Sequence, residues 1–594
     1  MKKISLSILA IAALLATSAC EDRLNIPQKG VTAIENYYNT EEDAVGAMVA
    51  AYSQFSDYVM GIGYRSRYVP YRTITNNLAD DMLAAGSNFG DNDFEAALNE
   101  FRADSGCETY IDFYKGAYHS LYTTNLVIDN FKNGAKVDGN TPTVKRIVAE
   151  ARVLRAFHFF LLAQLWGNPP FVDHVLPGDA NPYNCDKDPD NPISHDQLME
   201  WIIKECVESV PDLDERKDVS DKDGAVKVTK GFAWALAGKT AVFMGNYTDA
   251  KKYLRQVIDS HKYALVPGEQ FTDQFHRSGD GSPEKIFEAN VNYYPGLKSS
   301  NVSKRSGWQE CQLWSWRTDH FAAPPHYVYT GGADGWGGLG VPQWFGDEFF
   351  ENDGHSYRFD ATLVSVSDAI YGMQYKDESI NAMSLEEKMT SKKVGIKDIQ
   401  DGLYGQSTWL PLKLLMKAED TDKNIGNRYR LNNKIVMRYA EVLLLYAEAC
   451  IQSGSDLDAA LDCLHEIQNR AGSKTISSAA TMDVLKKEKE YELWMESCRW
   501  FDLRRWGDFD RVAKAGSDVP KLFDKLFREP KSTDKNIVWE NGTEANSRFY
   551  TTSNQPALDA GYVCGFKKGK HEWMPYPLDI MQKNPNMVQN PGWE

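Results

Sequence analysis

The tightest constraint on the fold of this chain is a helical design that occurs twice. Residues 229–260 read as one helix, TKGFAWALAGKTAVFM, a break at Gly245-Asn246, and a second helix, YTDAKKYLRQVIDS. Residues 436–470 repeat it as VMRYAEVLLLYAEACIQS, a break at Gly454-Ser455, and DLDAALDCLHEIQNR. Shifted by 209 positions, Gly245 falls on Gly454, Ala250 on Ala459 and Ile258 on Ile467. Small residues at fixed places let paired helices approach closely, which is the logic of tetratricopeptide-type repeats. A further helix is predicted over 146–166, RIVAEARVLRAFHFFLLAQLW, which holds no glycine or proline and is apolar nearly all round from Val153 to Leu165. Such a helix is packed on most sides, and Gly167-Asn168-Pro169-Pro170 stops it. The spacing of the units is irregular, so the chain is no simple solenoid. The expected fold is all-α, a tetratricopeptide-like repeat scaffold with helical elements at 38–165, 229–260 and 436–510.

Elsewhere the character changes. Residues 265–430 and 511–594 carry glycine, proline, asparagine and aromatic residues and few long helical patterns. Long irregular stretches inside a compact protein are usually functional or disordered, and a high aromatic content argues against disorder. The expectation is a large loop-rich subdomain, with 265–430 carrying the ligand face.

The first residues read as an address. Met1-Lys2-Lys3 is a basic start, Ile4 to Ala16 is apolar but too short to span a bilayer as a mature helix, and Thr17-Ser18-Ala19 precede Cys20. This pattern predicts a lipoprotein signal over 1–19, with Cys20 acylated at the start of a single domain, 20–594. The net charge of −17 becomes −19 once Lys2 and Lys3 are removed, which argues against nucleic acid as the main partner. The remaining cysteines form no C-x-x-C pair, and Cys450, Cys463 and Cys498 lie in helical apolar surroundings that favour buried free thiols.

Motifs for chemistry fail one after another. Gly238-Lys239-Thr240 lacks the first glycine of a phosphate loop, since position 233 is Ala233. Asp221-Lys222-Asp223-Gly224 lacks the flanking acids of a calcium loop. No metal, cofactor or catalytic residue is assigned. Glu441 and Glu448 share a helix face about 10 Å apart along the axis, beyond glycosidase spacing. They are expected to pair with arginines from neighbours such as Arg152 and Arg155. In ELWMESCRWFDLRRWG, from Glu492 to Gly507, Glu496 and Arg499 are spaced to pair at i,i+3, with Arg504 and Arg505 following in a structural charge network.

Five blocks in order resemble the SusD/RagB-like outer-membrane lipoproteins. They are CEDRLNIPQKGVTAIENYYNTEEDAVGAMVAAY, AEARVLRAFHFFLLAQLWGNPPFV, RYAEVLLLYAEA, ELWMESCRWFDLRRWG and MPYPLDIMQKNPNMVQNPGW, which together run from residue 20 to the end. Ser497-Cys498 departs from the Gly-His often found there in the family. The resemblance implies a non-catalytic surface lipoprotein with four helical repeat units. It would bind an oligosaccharide or polysaccharide and pass it to a SusC-like TonB-dependent transporter barrel in the outer membrane. Some members serve peptide uptake instead, so a peptide ligand stays open; a helical glycoside hydrolase is the more distant alternative.

Residues 307–345 are the candidate site. Within them Trp308, Trp314, Trp316, Trp336 and Trp344 make five of the fifteen tryptophans, accompanied by Tyr327, Tyr329 and a run of glycines. A sugar ring offers an apolar face and a hydroxyl edge, so its site needs flat rings flanked by polar groups. Trp308, Trp314, Trp316, Trp336 and Tyr329 are the expected platforms, while Trp344 before a short helix is expected in the core. Trp314 and Trp316 would share one face of an extended segment. A second polar stretch, 60–94, corresponds in the family to part of the ligand face and contributes Arg72, Asn88, Phe89 and Asn92.

Overall fold

The computed structural model describes residues 37–61, 69–86, 91–132, 136–291, 313–317, 321–323, 335–365, 368–372, 374–375, 377–391, 393–395, 409–421, 430–509, 537–538, 549–551 and 565–594. The signal segment, Cys20, Trp308, Tyr327, Tyr329, Asn88 and Phe89 lie outside the described residues.

The helical half opens with α1 (Glu41–Gln54), started by a reciprocal cap in which Asp43 N–H donates to Thr40 Oγ1 and Thr40 N–H donates to Asp43 Oδ2. After α2 (Pro70–Asn77), β1 (Leu83–Ala84) and α3 (Asp93–Asn99) come two long helices, α4 (Glu108–Phe131) and α5 (Pro142–Trp166). Every residue of α5 from Val153 to Trp166 is buried, as its unbroken apolar circumference predicts. It packs against α1, α4 and α6 (His195–Ser209), and Gly167 ends it at a positive φ of 74°.

The twice-used design is present as α7 (Lys230–Phe243) with α8 (Tyr247–Asp259), and further along as α11 (Tyr439–Ser453) with α12 (Leu457–Ala471). Gly245 and Gly454 both sit in the left-handed region, at φ 73° and 64°, where a side chain would be strained. A Cβ on Gly238 would lie 2.5 Å from Leu254 Cγ, so that glycine is what lets α7 and α8 close on each other. Helix α8 packs directly on α11, so the two units, distant in sequence, stack as neighbours. Val436 to Arg438 were expected in the helix and instead belong to β6 (Lys434–Arg438), paired antiparallel with β2 (Lys285–Ala289). The branched run Ile435-Val436 suits a strand, and the helix begins only at Tyr439.

Between the repeats lies a second core built on short elements: β3 (Leu339–Gly340), α9 (Gln343–Asp353), α10 (Tyr357–Thr362), β4 (Leu363–Ser365) and β5 (Trp409–Pro411). Trp314, Phe345, Phe349, Trp409, Tyr491 and Trp494 are among its buried members. The last two come from α13 (Met482–Glu492) and the turn after it, before α14 (Arg499–Trp506).

Buried charge joins the two halves. Arg438 donates to Glu284 and Glu492 at 2.6 Å each and to Glu496 at 2.7 Å. Arg358 holds Asp353, Glu488 and Glu492, and Arg470 holds Glu284 and Glu492. All of these side chains are buried or nearly so. The predicted partners are corrected in three places. Glu496 takes Arg438 and Lys413, whereas Arg499 reaches Asp80 at 2.8 Å and Glu490 at 3.0 Å. Glu441 takes Lys239 at 2.7 Å, and Glu448 takes Arg505, Lys489 and the Trp506 indole N–H. Arg152 and Arg155 close instead on Glu205, because α5 lies against α6. The structural role expected for Glu441 and Glu448 holds, since each carboxylate is consumed by cations. Cys450, Cys463 and Cys498 are buried free thiols, as expected.

Burial alone would raise Glu448 and Glu496, yet their cationic partners outweigh it and bring both down to about 2. A depressed carboxyl contributes stability that is complete above its unfolded value of 4.5 and is lost as pH falls toward the folded value. From these two groups the melting temperature should drop steeply as pH falls from about 4.5 to 2. A melting temperature unchanged across that window would contradict the network's role.

Candidate ligand face

The two stretches singled out in the sequence meet. β1 pairs antiparallel with β3, Leu83 opposite Gly340 and Ala84 opposite Leu339. The ladder runs on, with Ala85 N–H donating to Gly338 O at 2.8 Å and Gly86 N–H to Gly337 O at 2.9 Å. On the other side Gly337 N–H donates to Ser315 O and Gly338 N–H to Leu313 O, so three chain segments lie side by side. The glycines are what permits this. A Cβ on Gly335 would overlap the Ser315 carbonyl, and one on Gly338 would stand 2.7 Å from Leu313 O and 2.9 Å from Asn92 Nδ2. The glycines around Trp336 thus allow a close three-segment approach, with Gly340 itself in a strand.

Asn99 anchors the early segment from below, accepting from Ala84 N–H at 2.7 Å and donating to Asn77 O and Met82 O. Trp494 Nε1 donates to Asp81 O at 2.8 Å, which ties β1 to the turn after α13. Where the early loop leaves this base, Gly86 has φ 101° and the Asp91 side chain fills the space its own side chain would take. Asn92 then stands half-buried at the start of α3, its amide toward Gly338.

Four half-buried rings pack against the second core, Phe94, Trp336, Trp344 and Phe350, and of these Trp336 directly precedes the Gly337–Gly338 ladder. A half-buried ring is rigidly seated yet keeps area for a ligand, the arrangement stacking requires. Of the expected platforms, Trp336 and Asn92 are thus brought together. Trp344, expected in the core, packs against it from a half-buried position.

Trp314 and Trp316 are corrected. They are 2% and 3% exposed, so neither ring offers a face to an outside molecule. They also part company: Trp314 Nε1 donates to Glu95 Oε1 at 3.2 Å, whereas Trp316 Nε1 donates to Pro411 O at 2.9 Å and its ring stacks on Phe321. The glycine-mediated approach of the three segments buries both. Burial pushes the Glu95 carboxyl up to about 8, with the Trp314 and Asn77 donors only partly offsetting it, so a largely protonated acid lies under the junction at neutral pH.

Arg72 is corrected as well. It belongs to α2, all of whose residues are buried, and it is 7% exposed among interior charges. Burial, then the nearby Arg430, lowers its guanidinium to about 10. Within the polar stretch 60–94, Pro70–Asn77 is a helix whose Asn76 accepts from the Ser497 backbone N–H. Its polar side chains satisfy interior groups, which a polar sequence outside a periodic pattern does not announce. Phe94 was missed, and alternation with Asn92 on a loop that turns into a helix was its only signal.

Known proteins align with the chain along most of its length. A model of the SusD family matches residues 303–593, and one described as starch-binding, associating with the outer membrane, matches residues 55–235. SusD-like protein P2 of Formosa agariphila is 24% identical over 531 residues, covering 85% of this chain and 91% of that protein. Among solved structures, a laminarin-binding SusD-like protein superposes with a TM-score of 0.65 at 20% identity, covering 94% of this chain and all of the other. Surface glycan-binding protein A from Bacteroides thetaiotaomicron in complex with laminarihexaose superposes with a TM-score of 0.62 at 20% identity, covering 92% and 99%. At such identity the superpositions establish the fold. Among the described residues no helix is long and apolar enough to cross a membrane. Helical repeats, loop-rich second core and both family matches lead to one conclusion: the chain belongs to the SusD/RagB-like family.

Proposed function

We propose that this protein captures a neutral glycan at the cell surface, held to the outer membrane by lipid on Cys20, and delivers it to a SusC-like TonB-dependent transporter. The observation that carries the reading is that Asn92 meets Gly338, two residues from Trp336, with Phe94 and Trp336 both half-buried against the second core. Trp308, Tyr329, Asn88 and Phe89 belong to the same two stretches and are proposed to complete the face. Laminarin and laminarihexaose, the ligands of two structural relatives, support a glycan over a peptide. Glu441 and Glu448, the pair the sequence offers for glycosidase chemistry, are spent on Lys239 and on Arg505 and Lys489, which supports capture without cleavage.

Affinity electrophoresis through gels containing laminarin, soluble starch, xylan, galactomannan or mixed-linkage glucan tests this. At least one polysaccharide should retard the protein and remain unshortened after overnight incubation. Free migration through every gel, together with saturable binding of a peptide library, would transfer the reading to peptide uptake.

A further inference from the structure

A second cavity lies in the loop-rich half, lined by residues the ligand face does not use. A cavity of about 490 Å³ opens beside α10, within the range of small-molecule sites. Tyr357, the first residue of α10, stands at its wall with 47% of its surface exposed, an uncommon position for a large ring.

That ring is held in place. A Cβ on Gly268 would overlap it, and one on Gly472 would lie 3.2 Å from its Cδ2, so two glycines let the chain close on the Cδ2–Cε2 edge of the ring. Tyr357 Oη donates to Glu269 Oε1 at 3.1 Å. Its backbone is fixed from both sides, by the Ser356 cap that accepts from Phe359 N–H and by fully buried Arg358 in the charge network. An exposed ring this firmly seated is a platform whose ordering entropy is already spent.

The rest of the cavity suits a polyhydroxylated partner. Leu412, Leu415 and Ala361 supply an apolar floor. Around it stand Glu269, Lys417 and the His355–Asp360 pair, joined at 2.9 Å, giving donors and acceptors at the rim. A strongly anionic ligand would meet two carboxylates and a cationic one would meet Lys417, so the balance favours a neutral molecule.

We infer that this cavity is a second carbohydrate site, taking one pyranose unit of a neutral sugar stacked on Tyr357 and hydrogen-bonded by Glu269, Asp360 and His355. It shares a ligand class with the proposed function and none of its residues, so each can fail alone. A weak site of this kind would hold a second stretch of a captured chain and add avidity.

Saturation-transfer NMR on the full mature chain, with the methyl β-pyranosides of glucose, galactose, mannose and xylose as probes, tests it. At least one probe should receive saturation that Tyr357→Ala removes and Asp360→Asn at least halves, with Trp336→Ala leaving it in place. Melting temperatures within 2 °C of the parent confirm that the exposed substitutions leave the fold intact. The inference is overturned if no probe shows a Tyr357-dependent signal, or if every signal disappears with Trp336→Ala alone. Loss of polysaccharide retention in Trp336→Ala reports on the ligand face and leaves this result unaffected.

Discussion

Replacing Arg438 by methionine is expected to cost about 3–5 kcal/mol of stability, the penalty for removing one partner of a buried ionic cluster. The guanidinium is 0% exposed as a residue and faces Glu284, Glu492 and Glu496, the first two also 0% exposed. Methionine fills much of the volume and supplies no donors, so three carboxylates lose a shared cation. Burial would raise Glu492, and it is Arg470, Arg438 and Arg358 that together hold it well below the usual carboxylate range. Without Arg438 the cluster should take up protons, and the loss should be smaller at pH 4 than at pH 7. Urea unfolding at both pH values measures it. By contrast, Arg255→Ala breaks an exposed pair with Asp259 and should change stability by less than about 0.5 kcal/mol. Equal effects of the two substitutions would remove the cluster from its role as the joint between the halves.

Trp314→Ala is the second large effect, expected at about 3–5 kcal/mol because a buried tryptophan leaves a cavity that its surroundings only partly fill. The ring is part of the second core and its indole N–H satisfies Glu95. Truncation therefore also takes one of two donors from a buried carboxyl, leaving only Asn77. Trp336→Ala, a few residues from the same strands but half-buried, should cost far less. Comparable denaturation midpoints for the two variants would contradict the division between core ring and face ring.

That division marks where the sequence stops being informative. Helices such as α5 and the pairs α7–α8 and α11–α12 are legible because their period, their breaking glycines and their length all agree. So is the family, whose blocks lie mostly in those helices. The face is another matter. Trp314, Trp316 and Trp336 sit in one stretch with the same residue type and similar neighbours, and nothing local separates them. Their fates are decided by Gly335 and Gly338, which admit the backbone of 313–315 and so bury two rings while leaving the third at the edge. Arg72 misled for a related reason: a polar run reads as surface until an interior partner appears, and for Arg72 that is Glu496, far along the chain. Ion-pair partners failed alike. Residues spaced i,i+3 on a helix can pair, yet Glu496 found Arg438 and Arg499 found Asp80 because tertiary packing put stronger options closer.

The account rests most on Trp336 as a ring that binds. Tryptophan fluorescence titration with the polysaccharide that retards the protein most, run on the parent and on Trp336→Ala, measures this directly. A stacked sugar is worth about 1–1.5 kcal/mol at such a ring, on the scale of aromatic contacts, so the variant should bind about five- to twelvefold more weakly with its melting temperature within 2 °C of the parent. Equal affinity in a folded Trp336→Ala protein would contradict the proposed face.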